Sequence, residues 1–167
     1  MSANISGTDI NMPSIQEVLG DPTPPSYVPN RNAILLMIAS SYAEANNADV
    51  IFTGLQAQDS YGYWDTTPQF VNNMNNVLSG NRKTPVKICA PFQGLNKATE
   101  LLILNEMDND VSLTSHTLTC YDPNEHGVSC GTCPSCAERI QNFAKAGFID
   151  NIPYSIIIPW NKLIKGE

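Results

Sequence analysis

The sequence predicts an α/β fold: short parallel strands covered by helices, with a metal-binding loop towards the C-terminal end. Three observations carry this. Val50-Ile51-Phe52-Thr53-Gly54 and Val86-Lys87-Ile88-Cys89-Ala90-Pro91 are short, apolar runs rich in β-branched residues, as expected of strands buried on both faces. Helical patterns alternate with these runs, the order of an α/β repeat. Four of the five cysteines fall between Cys120 and Cys136, and the last three form a C-x-x-C-x-x-C run.

At 167 residues the chain is the size of one ordinary domain, with 42% hydrophobic residues, so it can build a core. The net charge of −7 argues against a basic nucleic-acid surface, though not against binding a nucleobase in a pocket. No run of eighteen apolar residues is present, and residues 1–12 are polar with no apolar signal core. The expectation is a cytoplasmic protein.

In chain order, residues 1–27 read as an extended lead-in or arm, broken by Pro13, Pro22, Pro24 and Pro25, with a turn of helix around Ile15–Leu19. Ala33 to Ala45 is apolar on nearly every side, which predicts a helix buried over most of its surface. Asn46-Asn47 closes it and the Val50 strand follows. The loop Gly54 to Asp65 sits where open α/β sheets bind ligands, past the carboxyl end of a parallel strand. It reads either as a surface loop with packed aromatics or as a pocket for a planar ligand, with Gln56, Asp59, Tyr61, Tyr63 and Asp65 as candidates.

Thr67-Pro68 opens a helix from Gln69 to Leu78, ended by Ser79-Gly80. Cys89, inside the second strand, reads as a core thiol. Asn96 is the expected cap of a helix from Lys97 to Met107, with Leu101, Leu102 and Leu104 on its apolar side. Lys97 in the first turn is unfavourable to the helix dipole, which points to a solvated lysine or to an anionic partner. Val111–Leu113 is expected to be extended. Ile152 to Trp160 is apolar, β-branched and bounded by prolines, which predicts an edge strand or strand-like tail at 151–167 packed on its own chain or on a partner.

Cys120, Cys130, Cys133 and Cys136 supply four thiolates, enough for a closed tetrahedral zinc site of the structural kind. Four cysteines also suit an iron–sulfur cluster, and cysteine pairs can form disulfides or redox couples. Pro134 and Ser135 place a helix start at Cys136, running to Ala146 and ended by Gly147.

Taken together, the order is Val28-Pro29-x-Arg31-Asn32, then Gly54-x-x-x-x-Asp59-x-x-Gly62-Tyr63-x-Asp65, then Ala90-Pro91 with Lys97. Thr117-x-x-Cys120-Tyr121 follows, and then Cys130-Gly131-x-Cys133-x-Ser135-Cys136 with Arg139, Phe143 and Gly147. This order resembles the 7-cyano-7-deazaguanine synthase family over Pro13 to Asp150. The resemblance implies a PP-loop (adenine nucleotide alpha hydrolase-like, Rossmann-like) fold, here in part, as a domain over residues 28–150 with structural zinc on the four cysteines. It implies conversion of 7-carboxy-7-deazaguanine to the 7-cyano base with ATP and ammonia, through an acyl-adenylate and an amide. The base serves transfer-RNA, and in some phages and bacteria related bases enter DNA. By the same resemblance Arg31, Asn32, Gln56, Asp59, Tyr61, Tyr63 and Asp65 would surround the deazaguanine. Asp59 would hold Mg²⁺ or flank the ammonia path, Asp65 would pair with the base's N–H donors, and Lys97 would reach phosphate.

Two departures stand out. The family's Ser-Gly-Gly-x-Asp-Ser phosphate loop does not occur in these residues, and Asp65-Thr66-Thr67-Pro68 stands where the family often has Asp-Cys-Arg-Pro. ATP and Mg²⁺ would then require a partner polypeptide carrying the PP-loop, or the chain would be a non-catalytic relative that binds a base or a protein. The strands near Val50 and Val86 would lack a neighbour, and an apolar helix face from Ile34 to Ile38 would reach solvent unless a partner or a second copy covered it.

Overall fold

A computed structural model describes residues 27–56, 62–108 and 110–166. The described chain falls into two units that divide between Asn96 and Lys97.

In the first unit, helix α1 spans Arg31–Ala45, and Asn46 and Asn47 stop it. Asn47 has φ 57, a left-handed conformation that asparagine tolerates. Strand β1, Val50–Phe52, pairs in parallel with β2, Lys87–Cys89, in the register Val50↔Lys87, Ile51↔Ile88, Phe52↔Cys89. Between them Trp64–Thr66 forms one 3₁₀ turn, and α2 spans Pro68–Leu78. Thr67 starts α2 by accepting the Phe70 N–H, and Pro68 occupies the first turn, where no N–H is needed.

The buried face of α2 is Phe70, Val71, Met74 and Leu78, a helical spacing. With Leu36, Leu55 and Ile88 these residues form the core of this unit. Each such side chain contributes about 1.5–3 kcal/mol on burial. Trp64 packs edge-on to Phe70 at 5.3 Å.

Asn75 reaches from α2 to the outer edge of β2. Its Oδ1 accepts the Ile88 N–H at 2.7 Å and its Nδ2 donates to the Ile88 carbonyl at 3.0 Å. The side-chain amide thereby takes the place of a neighbouring strand.

Three expectations change in this unit and the next. Helix α1 is not buried over most of its surface: Leu36, Ser40 and Ala43 face the core, while Ile38 is 64% and Tyr42 72% exposed. Ile34 and Leu35 share this open apolar face. Val111–His116 is a 3₁₀ turn rather than extended, because the Asp110 carboxylate accepts the Ser112 N–H and starts a helical turn. The segment after Ile152 is not a strand. It makes a single parallel bridge, Ser129↔Tyr154, and then winds into helix α5, Trp160–Lys165. Pro153 and Pro159 lack the N–H groups that a longer ladder would use. Ile157 is 95% exposed, so packing of this segment on its own chain is partial. The turn expected around Ile15–Leu19 lies outside the described residues.

The second unit holds α3, Lys97–Asp108, and α4, Pro134–Ala146, which pack on one another. Ala98 and Leu101 are buried on α3, and Ile140, Phe143 and Ala144 on α4. Gly147 ends α4 at φ 80. Cys89, in β2, is only half-buried. Among the described residues no helix is long and apolar enough to cross a membrane.

Candidate metal centre

The second unit gathers four sulfurs. The Sγ atoms of Cys120, Cys130, Cys133 and Cys136 all lie within 4.8 Å of one another, and those of Cys130 and Cys136 are 3.9 Å apart. Four bonds of about 2.3 Å to one tetrahedral ion place sulfurs about 3.8 Å apart. A disulfide would need about 2.05 Å, and all of these cysteines are free. The sulfurs also stand too close together to enclose several irons with bridging sulfides. The set fits one ion with a closed four-sulfur shell.

Local backbone explains how residues so near in sequence converge. Cys130 follows the Ser129↔Tyr154 bridge, which fixes where the turn begins. Gly131 takes φ +79, and a Cβ there would lie 2.5 Å from Cγ1 of Ile156. Only glycine meets both demands. The turn then aims the Thr132 and Cys133 N–H groups at Sγ of Cys130, at 3.4 and 3.3 Å. Cys133 caps α4, its sulfur accepting the Cys136 N–H at 3.4 Å. The helix starts at Pro134 with Cys136 in its first turn, as Pro134 and Ser135 predict. Sγ of Cys120 accepts N–H groups from Asp122 and Cys130, at 3.4 and 3.2 Å.

These donors favour thiolates. Burial pushes the Cys130 thiol up, yet the N–H groups of Thr132 and Cys133 outweigh it and bring its pKa down to about 6. Burial raises Cys120, and burial together with the neighbouring Cys133 and Cys120 sulfurs raises Cys136. Four thiolates cannot share this space without a cation to offset their charge. Gly131→Ala is expected to cost at least about 1–2 kcal/mol from the left-handed backbone alone, with further loss from the clash. A lower melting temperature and faster metal loss to a chelator would check it.

A buried ion pair supports the cluster. Arg139, on α4, donates to Asp150 through Nε at 2.6 Å and Nη2 at 3.0 Å. Its Nη1 donates to the Thr117 hydroxyl at 2.8 Å and its Nη2 to the Thr114 carbonyl at 3.0 Å. Thr114 and Thr117 lead directly into Cys120. The Tyr154 hydroxyl donates to Asp150 at 2.7 Å, and the guanidinium lies over the Phe143 ring at 5.2 Å. Burial and the Asp150 carboxylate push the Tyr154 phenol up, so it stays a donor.

The loop after β1 is a separate matter, in the first unit. The Asn32 N–H donates to Oδ2 of Asp65 at 3.0 Å, and Asn32 Nδ2 donates to the Asp65 carbonyl at 3.1 Å. Asn30, at the start of α1, makes no side-chain cap, so buried Asp65 serves as the anion at that helix terminus. Tyr63 is half-buried, and its carbonyl accepts the Thr66 hydroxyl at 2.6 Å. Gln93 ties down the same turn by donating to the Thr66 carbonyl. Gln56 is half-buried and Arg31 exposed. Asp59 and Tyr61 lie outside the described residues. Lys97 belongs to the second unit and is ion-paired with Glu138 at 2.6 Å.

Comparison with known proteins places these features. A family model described as queuosine biosynthesis protein QueC matches residues 2–147. A 7-cyano-7-deazaguanine synthase of Methanospirillum hungatei is 43% identical over 140 residues, covering 83% of this chain and 61% of that protein. The synthase of Acetivibrio thermocellus is 38% identical over 160 residues, covering 90% of this chain and 69% of its own length. That of Oceanobacillus iheyensis is 38% identical over 149 residues, covering 88% and 65%. The chain therefore spans about three fifths to two thirds of the length of these relatives.

Proposed function

The chain belongs to the QueC family of queuosine biosynthesis proteins, and on that premise we propose that it is the zinc-containing, substrate-binding part of a 7-cyano-7-deazaguanine synthase. The reaction is the ATP-dependent conversion of 7-carboxy-7-deazaguanine and ammonia to 7-cyano-7-deazaguanine, in the cytoplasm. The observation that carries this reading is the four-sulfur cluster, which lies within the residues that the family model matches. Zinc is the ion of choice for four thiolates in tetrahedral array, and with no open position it fixes the fold and does no chemistry.

The base is assigned to the loop after β1, at the carboxyl end of the parallel strands. Arg31, Asn32, Gln56, Asp59, Tyr61, Tyr63 and Asp65 would line it. The tie between Asn32 and Asp65 supports this assignment, because it brings the start of α1 and the end of the loop to one place. Asp65 offers a carboxylate to the paired N–H donors of a guanine-type base while Oδ2 holds α1. Lys97 would turn from Glu138 to phosphate.

ATP activation needs a phosphate loop at a helix N-terminus, and these residues contain none. ATP and Mg²⁺ are therefore assigned to a polypeptide that carries the PP-loop. That same sequence fact favours a second reading, a non-catalytic relative that binds the base or a protein as regulator or competitor. The test mixes the chain with 7-carboxy-7-deazaguanine, ATP and ammonia, alone and with the PP-loop portion of the Methanospirillum hungatei enzyme. Mass spectrometry is expected to find the nitrile only in the second mixture. Base binding with no product in either would favour the non-catalytic reading.

A further inference from the structure

The 3₁₀ turn Trp64–Thr66 closes the loop that follows β1, and the loop that follows β2 is tied to it. Nε2 of Gln93 donates to the Thr66 carbonyl at 2.6 Å. The turn therefore stands where the two loops at the carboxyl ends of the parallel strands meet, the place where α/β sheets take their ligands. Two of its three residues are sealed. Asp65 is 2% exposed, with Oδ2 accepting the Asn32 N–H, and Thr66 is buried, with its hydroxyl donating to the Tyr63 carbonyl. Trp64 is the residue of the turn that meets solvent, at 50% exposure.

That indole is open but held. Its Nε1–H donates to the Tyr27 hydroxyl at 3.1 Å, and its ring meets that of Phe70 at 5.3 Å and 89°. Phe70 is itself 2% exposed and part of the core, so the anchor is firm. Leaving a large aromatic surface in water forgoes the burial that a tryptophan offers, and ordering it there adds an entropy cost. A flat ligand laid on the ring recovers the burial, and the ordering has been done before it binds. Phe92, next to Gln93, adds a second partly open ring on the neighbouring loop, at 38% exposure.

We propose that Trp64 is a base-binding residue, its indole the surface on which the planar 7-deazaguanine ring stacks, with Tyr27 and Phe70 as the residues that position it. The choice of a flat heteroaromatic ligand follows from what the side chain offers. The indole N–H is its single hydrogen-bonding group, and Tyr27 already takes it, so the ring recognises by its aromatic surface. Stacking suits any purine-like ring, because every base has a π-face. It does not read the group carried at the 7 position, which is left to the polar side chains named above. The proposal rests on the base reading of the preceding section and adds to it a residue that the polar set lacks.

The test uses the zinc-loaded full chain, with 7-carboxy-7-deazaguanine as the probe. Trp64 and Trp160 are the two tryptophans of the sequence, so Trp160→Phe leaves Trp64 as the sole indole emitter. Titration with the base is expected to quench that emission, with a midpoint equal to the Kd from calorimetry. Trp64→Ala is expected to raise Kd at least about fivefold, as loss of base–aromatic stacking does. Trp64→Phe should recover most of the affinity, since a phenyl face still stacks. The factor should be the same for the 7-cyano base, because both bases share one ring. Damage to the fold alone would lower the number of sites per chain and leave the Kd of the remainder unchanged. Binding with Trp64 emission unchanged, or a rise in Kd below that factor in Trp64→Ala, would overturn the stacking role and leave the base reading intact. No binding of either base by the parent chain would overturn the base reading, and the stacking role with it.

Discussion

Removal of the metal from the Cys120, Cys130, Cys133 and Cys136 cluster is expected to unfold the unit that contains it. Structural zinc in small four-ligand sites binds with an apparent about 10–16 kcal/mol, and that binding energy is folding energy. A whole domain is stable by only about 5–15 kcal/mol. The unit's apolar core is a modest set, chiefly Ala98, Leu101, Ile140, Phe143 and Ala144. Its bridge at Ser129↔Tyr154 and the start of α4 at Cys133 are both anchored on the cluster. Without an ion, the 0% exposed Cys136 would sit among sulfurs that cannot all be ionised. Loss of a few kcal/mol already moves a small domain's melting temperature by about 4–8 °C for each kcal/mol. A chelator titration followed by circular dichroism should therefore show a drop of tens of degrees or outright loss of helix signal. Elemental analysis should give one zinc per chain beforehand. Cys136→Ser should reproduce the loss, while Cys89→Ser keeps the zinc. Unchanged melting after verified metal removal would refute the structural role.

The sequence displays what depends on local spacing and hides what depends on a distant partner. The C-x-x-C steps, Gly131 and Pro134 declare their turn and helix start because each acts within a few residues. The strands at Val50 and Val86 and the helix at Thr67-Pro68 are legible for the same reason. Asn75 is not: an asparagine on a helix gives no sign that it will close the edge of β2, thirteen residues on. Asp65 reads as a ligand-binding acid because acids in loops past strands often are, and its bond to the start of α1 spans thirty-three residues. The 3₁₀ turn at Val111–His116 was obscured by its β-branched and apolar residues, which Asp110 overrides. The all-round apolar character of α1 predicts a helix buried over most of its surface, yet Ile34, Leu35, Ile38 and Tyr42 are exposed, because apolar composition alone does not say which face meets the core. The Arg139–Asp150 pair leaves one sequence clue. Cys136, Ile140 and Phe143 mark the buried side of α4, and Arg139 falls among them, so a buried carboxylate had to follow somewhere.

That pair is the second place where a single change should be severe. Asp150→Asn keeps the shape but leaves the Arg139 guanidinium, 7% exposed, without its counter-charge. Breaking one side of a buried ion pair costs about 3–5 kcal/mol, because the remaining charge stays desolvated. Arg139→Met strands Asp150, whose side chain is 0% exposed, with only the Tyr154 hydroxyl and the Ile152 N–H for partners. It also frees the Thr114 and Thr117 groups that hold the approach to Cys120. The expected result is a loss of about 3–5 kcal/mol for either single change, read by chemical denaturation of the zinc-loaded chain, with faster zinc release. The double change Arg139→Met with Asp150→Leu removes both charges at once and should recover part of the loss, since no ion is left unpaired. Tyr154→Phe deletes one hydrogen bond to a charged acceptor and should cost about 1.5–3 kcal/mol. The ordering decides the matter. If the double change were as damaging as the two single losses added together, Arg139 and Asp150 would be acting independently, and the pair would not be what ties α4 to the segment entering the metal loop.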